Sequence, residues 1–110
     1  MHGNAQVQAA IHEIVRRLVA EVGPQEIILF GSHAYGEPHA DSDIDLLIIR
    51  ATTEGFLERI AGTRRVASGA HPRIAFDPIV LTPQEVEQRL RAGDQFIAEI
   101  VQRGEVLYAA

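Results

Sequence analysis

Asp43 and Asp45 stand two residues apart at the head of an apolar run, Leu46-Leu47-Ile48-Ile49. If that run is a strand, side chains at i and i+2 point to the same face. Two carboxylates side by side repel each other unless a cation lies between them. A hard divalent ion held by one or two carboxylates together with substrate phosphates is the usual magnesium arrangement. Upstream, and separated from Asp43 by ten residues, lies Gly31-Ser32, which closes a second apolar run, Ile27-Ile28-Leu29-Phe30. A point where a strand ends and a short helical turn begins offers unpaired backbone N–H groups to an anion, and glycine lets a phosphate approach closely. Asp-Ser-Asp at a strand entry is also ordinary turn chemistry, because Asp and Ser bond their own backbone. The two features together point to phosphate and metal chemistry, since each supplies what the other lacks.

A third acid follows. Asp77 is the only acid in the run Arg73-Ile74-Ala75-Phe76-Asp77-Pro78-Ile79-Val80-Leu81. Pro78 cannot donate to a ladder, so this strand belongs at a sheet edge, or its hydrogen bonding stops there. Asp77 then either faces solvent beside an edge proline or joins Asp43 and Asp45. The second arrangement gives a three-carboxylate site that could hold one or two magnesium ions and accept the proton of an attacking hydroxyl.

The elements that must position these residues are legible from period and punctuation. Val7, Ile11, Ile14, Val15, Leu18, Val19 and Val22 form one helical stripe, stopped by Gly23-Pro24. Strands are expected at about 26–30, 44–50 and 73–81, with a turn and loop over 33–42. Thr53 is expected to cap a helix carrying Phe56, Leu57, Ile60 and Ala61. Thr82 with Glu85 is a capping box, with Pro83 at the first helical position, and this helix carries Val86 and Leu90. Asp94 caps a last helix with Phe96, Ile97, Ile100 and Val101, and Glu105–Tyr108 reads as a final strand. His33 and His39 lie in the loop between the two halves of the motif. Either could contact a phosphate-bearing ligand, although an ordinary polar loop position is the favoured reading. None of the histidines has a metal-ligand partner at helical spacing. Arg64-Arg65 reads as a solvated helix end.

The chain has 110 residues, of which 46% are hydrophobic, and a net charge of −5. That suffices for one domain with one modest core, with no internal repeat or linker. Cysteine is absent, which removes disulfides and thiolate metal sites and fits a reducing cytoplasm. No basic start precedes an apolar run, so no signal peptide is expected. No apolar stretch approaches the roughly 20 residues that span a bilayer. All ten basic residues are arginines, scattered at 16, 17, 50, 59, 64, 65, 73, 89, 91 and 103. An acidic domain without a basic stripe is a poor candidate for direct nucleic-acid binding.

Gly31-Ser32-His33-Ala34-Tyr35-Gly36, followed by Ser42-Asp43-Ile44-Asp45-Leu46, resembles the signature of the DNA polymerase β-like nucleotidyltransferase superfamily. Its form is most similar to the minimal nucleotidyltransferases, or MNT domain proteins, as is the ending Phe96-Ile97 … Gly104-Glu105-Val106-Leu107-Tyr108. The resemblance implies a single α/β (α+β) domain over residues 1–110, with its core at about 10–108 and a mixed sheet with helices packed mainly on one side. It implies that Gly31 and Ser32 touch nucleotide phosphates, that Asp43, Asp45 and Asp77 bind magnesium, and that Asp77 helps deprotonate the acceptor. Many relatives carry Arg where this chain has Tyr35. The minimal members resemble the antitoxin half of a toxin–antitoxin pair. Their partner is a small helical HEPN-type RNase toxin, and the implied reaction moves AMP from ATP to a toxin tyrosine.

Two other functions compete. A non-catalytic antitoxin would mask its toxin by binding alone, but masking has no need of three converging acids. A transferase acting on a small molecule such as an aminoglycoside would need an acceptor pocket or second domain, and neither is visible in the sequence.

Overall fold

The structure, a computed structural model, describes residues 5–38 and 42–110. The elements run α1 (Ala5–Val22), β1 (Glu26–Phe30), a 3-10 turn (Gly31–His33), β2 (Ile44–Ile49), α2 (Phe56–Ala67), β3 (Phe76–Leu81), α3 (Pro83–Arg91), α4 (Gln95–Arg103) and β4 (Glu105–Ala109). The strands form one mixed sheet in the order β3-β2-β1-β4. β1 is antiparallel to both β2 and β4, whereas β2 and β3 are parallel and joined through α2.

Alternation along the strands divides the sheet into two faces. Ile27, Leu29, Ile44, Leu46, Ile48, Phe76 and Val80 point one way and pack with Ile11, Ile14 and Leu18 of α1 and with Ala67 at the end of α2. Ile28, Phe30, Leu47, Ile49 and Leu81 point the other way, onto Ile97 and Ile100 of α4. The two longer helices thus share one face, and the short pair α3–α4 closes part of the other. Both strands of the central pair are buried on both sides, which is why they read as unbroken apolar runs.

α1 spans the stripe expected of it, and Gly23 at φ 58° turns the chain out of the helix. α3 begins with the expected cap: Thr82 Oγ1 accepts from Glu85 N at 3.1 Å, and Glu85 Oε1 accepts from Thr82 N at 2.8 Å. Asp94 Oδ1 caps α4 by accepting from Ile97 N at 3.1 Å.

α2 departs from the sequence reading. Its N-cap is Gly55 rather than Thr53, and the residues it buries are Arg59, Thr63 and Ala67, while Phe56 and Leu57 are exposed. The reason is a partner remote in sequence. The Arg59 guanidinium lies 2.6 and 3.2 Å from the two Glu85 carboxylate oxygens and donates to the carbonyls of Glu54 and Val80. A fully bonded guanidinium can be buried where a bare charge cannot. β3 is shorter than expected because Arg73 sits at φ 66°, outside extended geometry.

Candidate active site

Asp45, Asp77, Phe30 and Gly31 meet at one end of the sheet. Phe30, the last residue of β1, pairs with Asp45 in the antiparallel ladder, and Asp45 pairs with Asp77 in the parallel one. Asp43 lies two residues before Asp45, just ahead of β2. One carboxylate oxygen from each of Asp43, Asp45 and Asp77 lies within 4.8 Å of the other two. The edge strand therefore carries an acid that is both solvent-exposed and beside the other pair. The two alternatives for Asp77 describe the same residue.

The electrostatics reflect this crowding. The Asp45 carboxyl is pushed up to about 6, first by burial and then by the carboxylates of Asp77 and Asp43, with His33 acting in the opposite direction. The ligand set is all oxygen, clustered and half open to solvent, which fits a hard divalent cation and not a soft metal.

The chain leaves β1 through Gly31, whose φ of 75° is a left-handed conformation that favours glycine. A Cβ on Gly31 would collide with Oδ2 of Asp45. Glycine is required here on both counts: the turn and the carboxylate cluster are in contact. The Gly31 carbonyl then accepts from the amides of Ala34, Tyr35 and Gly36 at 3.0, 3.1 and 3.3 Å. The turn folds back so tightly that a Cβ on Gly36 would lie 2.8 Å from Ser32 Cα. The leading N–H groups of such a turn have no partner within it and can face an anion. Ser32 lies in this turn, half-buried, next to Gly31.

His33 is not an ordinary polar loop residue. It is 2% exposed, and its Nε2 lies 3.2 Å from the Ser42 carbonyl oxygen, tying the turn to the residue before Asp43. His39 and His2 lie outside the described residues. Arg64 lies exposed in the last turn of α2, as read, and also has partners on β3. It donates to the Phe76 carbonyl at 2.7 Å, and its guanidinium stands 3.7 Å from the Asp77 carboxylate. No local pattern announces this contact, because α2 meets β3 only through the crossover. On the α4 side, the Phe96 ring stands edge-on to Phe30 at 5.7 Å, and the Arg103 guanidinium lies 4.6 Å above the centre of the Tyr35 ring.

A family model described as a nucleotidyltransferase domain matches residues 10–105. The chain belongs to this nucleotidyltransferase family. The resemblance carried by Gly31-Ser32 and Asp43-Ile44-Asp45 therefore holds, and the mixed sheet is the fold it implied. Three solved structures resemble this nucleotidyltransferase domain. A toxin–antitoxin structure with AMP-PNP is 25% identical, over 90% of this chain and 73% of that one, with a TM-score of 0.63. A proposed nucleotidyltransferase from Sulfolobus solfataricus is 25% identical, over 78% of this chain and 81% of that one, with a TM-score of 0.53. The toxin–antitoxin MntA–HepT is 22% identical, over 94% of this chain and 73% of that one, with a TM-score of 0.58, and shares the fold. No curated protein matches the chain. Among the described residues, no helix is long and apolar enough to cross a membrane.

Proposed function

We propose that this nucleotidyltransferase moves AMP from ATP, with magnesium, onto a hydroxyl of a partner protein, a tyrosine of a small helical HEPN-type toxin, and so acts as that toxin's antitoxin. The observation that carries the reaction is the convergence of Asp43, Asp45 and Asp77 within 4.8 Å, in contact with the Gly31 turn. Similarity to the toxin–antitoxin structure with AMP-PNP supports both the nucleotide and the partner class.

The residues divide the work by position. Gly31 and Ser32 hold the triphosphate through backbone N–H groups and one hydroxyl. Asp43, Asp45 and Asp77 would hold one or two magnesium ions, which when bound neutralise phosphate charge and favour ionisation of the acceptor hydroxyl. Asp77, on the exposed edge strand, accepts the proton of the attacking hydroxyl. The acceptor oxygen forms its bond to the α-phosphorus, the bond from that phosphorus to the bridging oxygen breaks, and pyrophosphate leaves with the electron pair. His33 holds the turn and the acids in one arrangement, so that little reorganisation accompanies the step.

The test uses ATP labelled at the α-phosphate, magnesium and a cell lysate containing the co-expressed partner. Label should pass to one small protein and should not pass when Asp43→Asn or Asp45→Asn replaces the wild type. Partner inhibition without label would favour masking by binding alone. Equal labelling by the Asp variants would overturn the catalytic assignment.

A further inference from the structure

The turn that is to receive a triphosphate carries no exposed cation of its own. Between Gly31 and Gly36 the only basic side chain is His33, which is buried against Ser42. The neighbouring acids add negative charge, and the Arg64 guanidinium stands at Phe76 and Asp77 on the edge strand. A triphosphate approaching such a site benefits from a guanidinium, because its planar fork matches phosphate oxygens.

Arg103 supplies one from the far end of the chain. It closes α4, and the next residue, Gly104, is pressed against β1: a Cβ there would collide with Ile28 and lie 3.0 Å from the Leu29 carbonyl oxygen. That contact fixes the end of α4 two residues before Gly31. From this anchor the guanidinium of Arg103 reaches over the Tyr35 ring at 4.6 Å, so a residue of the phosphate turn is itself its platform. The side chain remains 55% exposed, and one of its nitrogens lies 3.1 Å from Glu99 Oε2. A guanidinium has five N–H donors, so this single carboxylate contact leaves donors available. The group also lines an open groove of about 630 Å³ along α4, together with Phe96 and Glu99.

We infer that Arg103, held by Tyr35, is a ligand of the nucleotide's triphosphate, and that Glu99 occupies the guanidinium when no nucleotide is bound. This rests on the reading of the site as a triphosphate site, and it goes further by naming the cation that site uses. Glu99 takes one donor of the guanidinium and sets a like charge beside the triphosphate, so the two variants at this pair act in opposite directions.

Calorimetry with magnesium and AMP-PNP provides the test, with pyrophosphate and adenosine as separate probes. Arg103→Gln should weaken AMP-PNP and pyrophosphate binding by roughly ten- to a hundredfold, the range for a charge-assisted hydrogen bond. Adenosine binding should be unchanged, which a merely structural role would not produce. Arg103→Lys should recover part of the loss, and Glu99→Gln should tighten AMP-PNP binding a few-fold. Thermal unfolding checks that each variant folds, and an exposed ion pair of this kind contributes little to stability. If wild type binds AMP-PNP and Arg103→Gln binds it equally, the inference is overturned while the triphosphate site stands. If wild type binds neither AMP-PNP nor pyrophosphate, the triphosphate site itself falls, and the inference with it.

Discussion

Asp45 and Asp77 are direct partners across the parallel ladder of β2 and β3, so two carboxylates occupy neighbouring positions on one face of the sheet. The register of the two strands enforces this, and a register shift would cost the packed partners Leu47–Ile79 and Ile49–Leu81. The acids cannot move apart without undoing the core beneath them. Relief must come from a proton or a cation.

Replacing Asp45 by Asn should therefore abolish transfer and leave the fold intact. The same substitution at Asp43 should do likewise. In metal-free protein Asp45→Asn should raise the unfolding temperature at neutral pH, because it removes a carboxylate held near two others. Circular dichroism on melting, run beside the labelled-ATP assay, reads both effects. Near wild-type turnover in either variant would contradict the metal assignment.

Stability of the metal-free protein should depend on pH through the same residue. Asp45 titrates at about 6 in the folded chain against 3.8 ordinarily. A raised carboxyl binds its proton more tightly in the native state, so its contribution favours folding at low pH and is lost as pH rises from about 4 to about 6. The difference in unfolding free energy between wild type and Asp45→Asn should follow that direction. Magnesium should reduce it. A difference that is flat across the window would refute the carboxylate crowding.

Glu85 should act with the opposite sign. Its carboxyl is held below the usual range, mainly by the Arg59 guanidinium and then by the Thr82 amide. Its contribution is present above pH 4.5 and is lost as pH falls through its lower folded value. Glu85→Gln should cost about 1–2 kcal/mol at pH 7, a charged hydrogen bond discounted for the exposure of Glu85. Urea unfolding at pH 7 and pH 3 separates this from a simple loss of helix capping, which would persist at low pH.

Gly31→Ala is a sharper probe than any bulky replacement. The left-handed backbone alone costs about 1–3 kcal/mol for a non-glycine residue. The added Cβ also meets the Asp45 carboxylate. Loss of AMP-PNP affinity in folded Gly31→Ala protein is expected, with Ser32→Ala costing only about 0.5–1.5 kcal/mol. Unchanged affinity at Gly31→Ala would place the phosphates elsewhere.

Asp77→Asn should lower turnover more than nucleotide affinity. Proton removal by a positioned base contributes roughly a hundred- to ten-thousand-fold. Single-turnover rates set beside AMP-PNP binding give the comparison, and equal rates in mutant and wild type would return Asp77 to a purely surface role.

What the sequence makes legible here is local. The apolar runs of β1 and β2, the Thr82–Glu85 cap and the close pair Asp43 and Asp45 need only neighbours along the chain, and each is found as read. What it hides depends on partners brought in by the sheet. Phe56 and Leu57 read as the buried stripe of α2, yet Arg59 is the one buried, because Glu85 waits across the fold. Phe96 and Val101 read as core on α4, yet both remain half exposed, and Ile97 and Ile100 carry the packing. Arg64 at Asp77 and Arg103 at Tyr35 have no signature in spacing. The place of Asp77 beside the other two acids could not be settled from sequence, because register across a parallel crossover is a property of the whole β2–α2–β3 unit.

That crossover also orders events during folding. Gly31 and Asp45 are joined by an antiparallel pair of strands adjacent in sequence, whereas Asp77 arrives only after α2 has formed and β3 has docked. Contacts distant in sequence carry the larger closure entropy and form late. A nascent chain thus builds the Gly31 turn before it brings in Asp77, and on the proposed mechanism transfer begins only with the completed sheet. Transfer activity is for this reason a more stringent report of correct folding than helical content, since every helix could form while β3 was still undocked and the acids incomplete.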